Sequence, residues 1–96
     1  MKYVTITTWE MLAGVDFDLT MTRVREKRLP ALKQLGAERI QVIRTSDRTI
    51  AAISEWPDKA TRDSAAAFIE RVRKDVRTED HSRMTGEMLG EVVAEI

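Results

Sequence analysis

The sequence predicts a single α+β domain of βαββαβ order, a four-stranded antiparallel sheet carrying two helices on one face. Three observations carry that prediction. Residues 3–9 read Tyr-Val-Thr-Ile-Thr-Thr-Trp, seven β-forming residues in a row. Residues 39–45 and 49–56 are two more β-rich runs around a short polar break, the pattern of a hairpin. On either side of that hairpin, apolar residues recur at helical spacing.

The first strand alternates informatively. Val4 and Ile6 face one way, while Tyr3, Thr5, Thr7 and Trp9 face the other, and neither side of this run is charged. A strand with no charged face is expected to be covered on both, and in a two-layer domain the second cover must be another subunit or a ligand. Gly14 breaks the strand pattern, and Asp16 or Asp18 can cap the next helix. Phe17, Met21, Val24, Leu32 and Leu35 form one helical stripe. Pro30 lies inside it and must kink the helix or open a fresh turn near Leu29. Gly36 suits the position just past a helix end.

In the hairpin, Ser46-Asp47-Arg48 is the expected turn. Trp56-Pro57-Asp58 marks the start of the second helix, with proline suited to its first position and Asp58 to the positive end of its dipole. Ala65, Phe68, Ile69, Val72 and Val76 form its predicted core stripe, and Arg62 is among the charged residues expected on its solvated face. Residues 78–83 read as a charged loop, and the role of residues 78–87 is open. From Met84 the chain resembles strand again, weakly at first, with Gly86 and Gly90 hinting at bends or bulges. Leu89 to Ile96 is the better strand. Right-handed connections turn this order into the ferredoxin-like split βαβ arrangement.

Composition narrows the function classes. The 96 residues suit one domain, 1–96, since domains commonly run to about 100–150 residues. Sixteen basic residues balance sixteen acidic ones, which argues against a nucleic-acid partner or an anionic membrane surface. No cysteine is present, so disulfides, thiolate zinc sites and cysteine nucleophiles are excluded. The opening apolar run is too short for a signal peptide, and no stretch approaches the ~20 apolar residues of a membrane span. The chain therefore reads as soluble and cytoplasmic.

The element order, the first strand ending Thr-Thr-Trp and the third strand ending Glu-Trp-Pro-Asp before an Ala-rich helix together carry a resemblance. Over nearly its whole length the chain resembles the dimeric α+β barrel superfamily, and within it the small antibiotic-biosynthesis-monooxygenase-like proteins. The resemblance implies a homodimer whose sheets pair face to face, with a pocket between each sheet and its helices. It implies that Tyr3, Thr5, Thr7 and Trp9 line that pocket, with Ser54 and Trp56 beside them. It also implies cofactor-independent oxidation of a small aromatic or quinol-like compound. The haem-degrading branch uses an Asn in the first strand, a Trp ending the third and a His on the second helix. Trp56 fits the second role, but Thr7 stands near the Asn position and residues 58–77 contain no histidine. Haem degradation is disfavoured, and no cofactor or metal is expected.

Other candidates have simpler readings. His81, the only histidine, lies in the polar loop, and solvated surface is the preferred reading over a proton shuttle or metal ligand. Trp9 and Trp56 could clamp a flat ligand by stacking, but capping the core or filling an interface is favoured. Arg44 shares the parity of Ile40 and Val42; it could hold a carboxylate or phenolate, and pairs more often across a sheet. Asp16 and Asp18 are better explained by capping than by acid–base work. The basic residues Arg23, Arg25, Lys27 and Arg28 scatter around the helix and read as a solvated face. No nucleophile elbow, dinucleotide fingerprint or phosphate loop is present, and the central strands lack the aromatics of an RNA-binding sheet.

Two functions are compatible with these readings. One is a cofactor-independent oxygenase binding a small phenol or quinol between Trp9 and Trp56, although no residue has an obvious basic role. The other is a non-catalytic dimeric small-molecule-binding or stress-associated protein on the same scaffold.

Overall fold

The run of β-formers from Tyr3 becomes β1 (Tyr3–Met11), one of the two central strands of a four-stranded sheet. The computed structural model describes residues 1–71, 74 and 82–96. It adds β2 (Arg39–Ser46), β3 (Thr49–Trp56) and β4 (Ser82–Glu91), paired in the order β2-β3-β1-β4 with every pairing antiparallel. The alternation seen in the sequence is realised on β1. Tyr3, Thr5, Thr7, Trp9 and Met11 are buried under the helices, and the residues between them are only half-buried.

The first helical run opens at α1 (Phe17–Arg23). Asp16 is its N-cap, accepting from the Leu19 backbone N–H at 3.0 Å, so capping is the role this aspartate fills. Pro30 then leaves its mark. An α-helix would need an N–H at residue 30 to bond the carbonyl four residues back, and proline has none. The backbone widens into a π turn over Val24–Arg28, closed by the Leu29 N–H reaching back to the Val24 carbonyl. Regular helix resumes as α2 (Leu29–Gln34) with Pro30 in its first turn.

Gly36 comes just after α2 at φ +116°. A Cβ there would lie 2.8 Å from Cγ2 of Thr61, so both the left-handed backbone and the close approach of the second helical run call for glycine. That run begins with α3 (Lys59–Ser64). Its cap is Asp58, which accepts from the Thr61 N–H at 2.7 Å, so Pro57 stands just ahead of the cap and not at the first helical position. Helical backbone breaks at Ala65 and resumes over 66–71.

The expected stripe is corrected at Phe68. Ala65 and Ile69 are buried, but Phe68 is 50% exposed. The buried side is set by Arg62, Ala65 and Ile69, and Phe68 stands about 90° round the helix from its middle. The Arg71 guanidinium lies 5.4 Å from the centre of the Phe68 ring. Val72, Val76 and His81 lie outside the described residues.

β4 also departs from expectation. It occupies Ser82–Glu91, the whole of the stretch that read as weak and the first three residues of the one that read as the better strand, while residues 92–96 lie outside it. The strand also carries a bulge. Thr8 pairs with Gly86 but Trp9 pairs with Met84, so Thr85 is an extra residue in β4. Side chains alternate with period two, so the inward set switches from Ser82 and Met84 to Glu87, Leu89 and Glu91 across the bulge. Gly86 fits this crowded point, since a Cβ there would lie 2.9 Å from the Thr8 hydroxyl.

Two apolar clusters fill the layer between sheet and helices. Tyr3, Trp56, Leu32, Ala37, Ala65 and Ile69 form one. Trp9, Met11 and Ile50 form the other, with Phe17 and Met21 packed against it. On the opposite face of the sheet Val4, Ile6 and Ile53 are half-buried, and Ile43 and Met88 are exposed.

Candidate functional site

Between the two clusters lies a polar belt, and strand register places it. On the helix-facing side, Tyr3 pairs with Trp56, Thr5 with Ser54, Thr7 with Ala52 and Trp9 with Ile50. The central strands thus read large, small, small, large across their shared width. The two small pairs leave a cavity of about 20 Å³, lined also by Leu32, Ile69, Arg28 and Arg62. That is the space of about one water molecule. A groove of about 780 Å³ beside α2 and β2 is larger. Its walls of Leu29, Pro30, Ile40, Lys33 and Arg39 are half-buried or exposed, so it offers no desolvated polar group to orient a ligand.

The small cavity does offer one. Trp56 is 1% exposed, and its indole N–H has no hydrogen-bond partner among the described residues. A buried donor left unmade costs about 1–3 kcal/mol. Trp9 differs: its N–H donates to the Thr7 hydroxyl at 2.8 Å, which also occupies that hydroxyl as an acceptor. Two buried cations stand beside the tryptophans. Arg28 places its guanidinium carbon 4.1 Å from the centre of the Trp9 ring, and Arg62 places its own 5.9 Å from that of Trp56. Each is in cation–π range.

Of the residues expected at a pocket, the cavity brings together Thr5, Thr7, Ser54 and Trp56. Tyr3 lies beside Trp56 in the first apolar cluster, and Trp9 belongs to the second, one strand position beyond Thr7 on the same face. Neither lines the cavity. Arg44 does not reach it: its guanidinium stacks 3.8 Å from the centre of the Phe17 ring and donates to the Ser46 and Asp47 carbonyls at the hairpin turn.

Arg28 and Arg62 were both expected on solvated faces, and both are buried. Their spacing held a signal. Arg28 stands four residues from Val24 and four from Leu32, and Arg62 stands three before Ala65, so each is in step with an apolar stripe. The lining includes no carboxylate among the described residues. Nor do His, Asp and Glu there form any group of three able to hold a metal ion, and no described helix is long and apolar enough to cross a membrane.

No protein-family model matches this sequence, and no curated protein does. Solved structures match closely in shape. A variant of SnoaB, a cofactor-independent oxygenase from Streptomyces nogalater, superposes with a TM-score of 0.73 over 99% of this chain and 96% of its own, at 14% identity. A dimeric ferredoxin-like protein from an uncultured marine organism gives 0.73 over 100% and 98%, at 13% identity. An antibiotic biosynthesis monooxygenase gives 0.64 over 95% and 99%, at 16% identity.

The chain has the α+β ferredoxin-like fold of these structures. In that fold the helix-side face and the outer face of the sheet differ in character. The helix side holds the cavity with Trp56 at its wall. The outer side carries Val4, Ile6, Ile53 and Met88, an apolar surface that no described helix covers.

Proposed function

We propose that the protein is a homodimer that binds a small aromatic compound in each cavity and oxidises it without a cofactor, in the manner of antibiotic-biosynthesis-type oxygenases. The observation that carries this reading is the buried Trp56 N–H, a donor without a partner among the described residues, on a side chain that lines the cavity together with Thr5 and Ser54. A ligand oxygen placed there would satisfy it. Oriented donors around a phenolic oxygen favour the anion, and an electron-rich anion can pass an electron to molecular oxygen.

Dimerisation rests on the outer face. Met88 is 64% exposed and Ile43 is 47% exposed, beside half-buried Val4, Ile6 and Ile53. A second sheet laid on this face would remove that apolar area from water.

Oxygen consumption with a panel of hydroquinones tests the reading. Saturable uptake by the wild type and its loss in Trp56→Phe would support an oxygenase. The same cavity lacks a carboxylate or histidine among the described residues, which favours a second reading, a non-catalytic carrier. Binding that depends on Trp56 without oxygen uptake would establish the carrier, and absence of binding would refute both.

A further inference from the structure

Arg25, Leu29 and Lys33 stand four residues apart along the first helical run, and all three line the groove of about 780 Å³ beside α2 and β2. Helical residues four apart are separated by about 6 Å along the axis. Alternate residues of an extended chain are separated by about 6.6 Å. The two ladders match over this length. We propose that the groove receives an extended acidic peptide of another protein, laid along the open side of β2. Its acidic, apolar and acidic side chains, on alternate residues, meet Arg25, Leu29 and Lys33. The groove shares no lining residue with the cavity, so this surface is independent of it.

Charge favours that occupant. Arg39 is the cation on the strand side of the groove. Among the described residues, none of Arg25, Lys33 and Arg39 has a carboxylate within ion-pair distance. Glu55 stands opposite Arg39 on β3, but it is held by Lys2 at 3.6 Å. Among the described residues of the lining, Glu38 is the one carboxylate against three cations. All four side chains are exposed, so a ligand meets them without disturbing the core.

The backbone favours it too. β2 is an edge strand, bonded to β3 on one side and open on the other among the described residues. Such an edge offers main-chain N–H and C=O groups to an added strand. A second copy's β2 is a poor occupant, since antiparallel self-pairing sets the Arg39 and Arg44 cations of the two edges against each other. This chain's own acidic stretch is already engaged, β4 with β1 and Glu95 with Lys2 at 3.5 Å. A nucleic-acid backbone would answer the cations and leave Leu29, Pro30 and Ile40 unfilled.

Fluorescence anisotropy of the protein with labelled Gly-Glu-Thr-Leu-Thr-Glu-Gly tests this. The peptide should bind about tenfold tighter than Gly-Gln-Thr-Leu-Thr-Gln-Gly at low salt, and weaken as salt is raised. Moving the leucine out of step, as Gly-Glu-Leu-Thr-Thr-Glu-Gly, should cost about fivefold. Lys33→Glu changes an exposed side chain and keeps the fold; it should weaken the first peptide about tenfold. Replacing a peptide glutamate by lysine should restore binding to that variant, at one of the two positions only. Equal binding of the glutamate and glutamine peptides, equal binding in and out of step, binding indifferent to Lys33→Glu, or no binding overturns the proposal. Oligouridylate that binds tighter than the peptide and displaces it would reassign the groove to nucleic acid and overturn the proposal as well.

Discussion

The indole N–H of Trp9 donates to the hydroxyl of Thr7 at 2.8 Å, two residues back on the same strand and the same face. Both residues are buried, so the pair is shielded from water. Thr7→Val keeps the shape and removes the acceptor, leaving a second tryptophan N–H unmade in the core. We expect a loss of about 1–3 kcal/mol, read as a lower urea midpoint with an unchanged m-value. A shift under a few tenths of a kcal/mol would mean that water reaches the indole.

Gly14 and Gly36 both have positive φ, at +81° and +116°, but only Gly36 is crowded. Gly14→Ala should cost about 1–2 kcal/mol for the backbone conformation alone. Gly36→Ala adds a Cβ 2.8 Å from Thr61 Cγ2 and should cost roughly twice that, since α2 and α3 must separate. Thermal melts of the two variants side by side give the comparison. Equal losses would refute the steric share.

Asp58 gives a pH test. The Thr61 backbone N–H holds its carboxyl below the usual aspartate range. A pKa depressed on folding stabilises above the unfolded value near 3.9, and that stabilisation is lost as pH falls through the folded value. Asp58→Ala should therefore lower the melting temperature by a few degrees at pH 7. The gap to wild type should close as the pH drops below the ordinary carboxylate range. A gap that persists in acid would assign the effect to packing and not to the cap's charge.

The outer face yields a test of assembly. Ile6 is half-buried at its centre, opposite Ile53 on β3 and Met88 on β4. Ile6→Lys should convert a dimer to a monomer in analytical ultracentrifugation at micromolar concentration, with far-ultraviolet circular dichroism retained. A wild-type monomer under the same conditions would refute face-to-face pairing.

Much of the fold was legible, and each exception has a local cause. β1 showed its two faces in the sequence because its inward and outward residues alternate without interruption from Tyr3 to Met11. β4 hid them because Thr85 breaks the period, so Met84 and Leu89 sit on one face at odd spacing and the strand reads as noise. Phe68 was misplaced because the buried side of its helical run is set by Arg62, Ala65 and Ile69, and an apolar Phe68 read as core where a charged Arg62 did not. In the cavity, Thr5 and Thr7 shared a face by the alternation of β1, while their place at a pocket with Ser54 and Trp56 came from the family resemblance. Arg28 and Arg62 came from neither, because charge normally marks the solvated face and only their step with Val24, Leu32 and Ala65 argued otherwise.

The π turn over Val24–Arg28 bears on how the first helical run could change over time. Residues spaced by four on a regular helix slide round it by about 40° at each step. Val24, Arg28 and Leu32 nonetheless all end up buried, because the turn that closes on the fifth residue takes up part of that slide. An insertion or deletion of one codon inside the turn would accordingly be felt as rotation of α2 about its axis. Leu32 would leave the sheet before the run became noticeably longer or shorter. Substitutions are the changes this segment can accumulate, and its length is the property it has to keep.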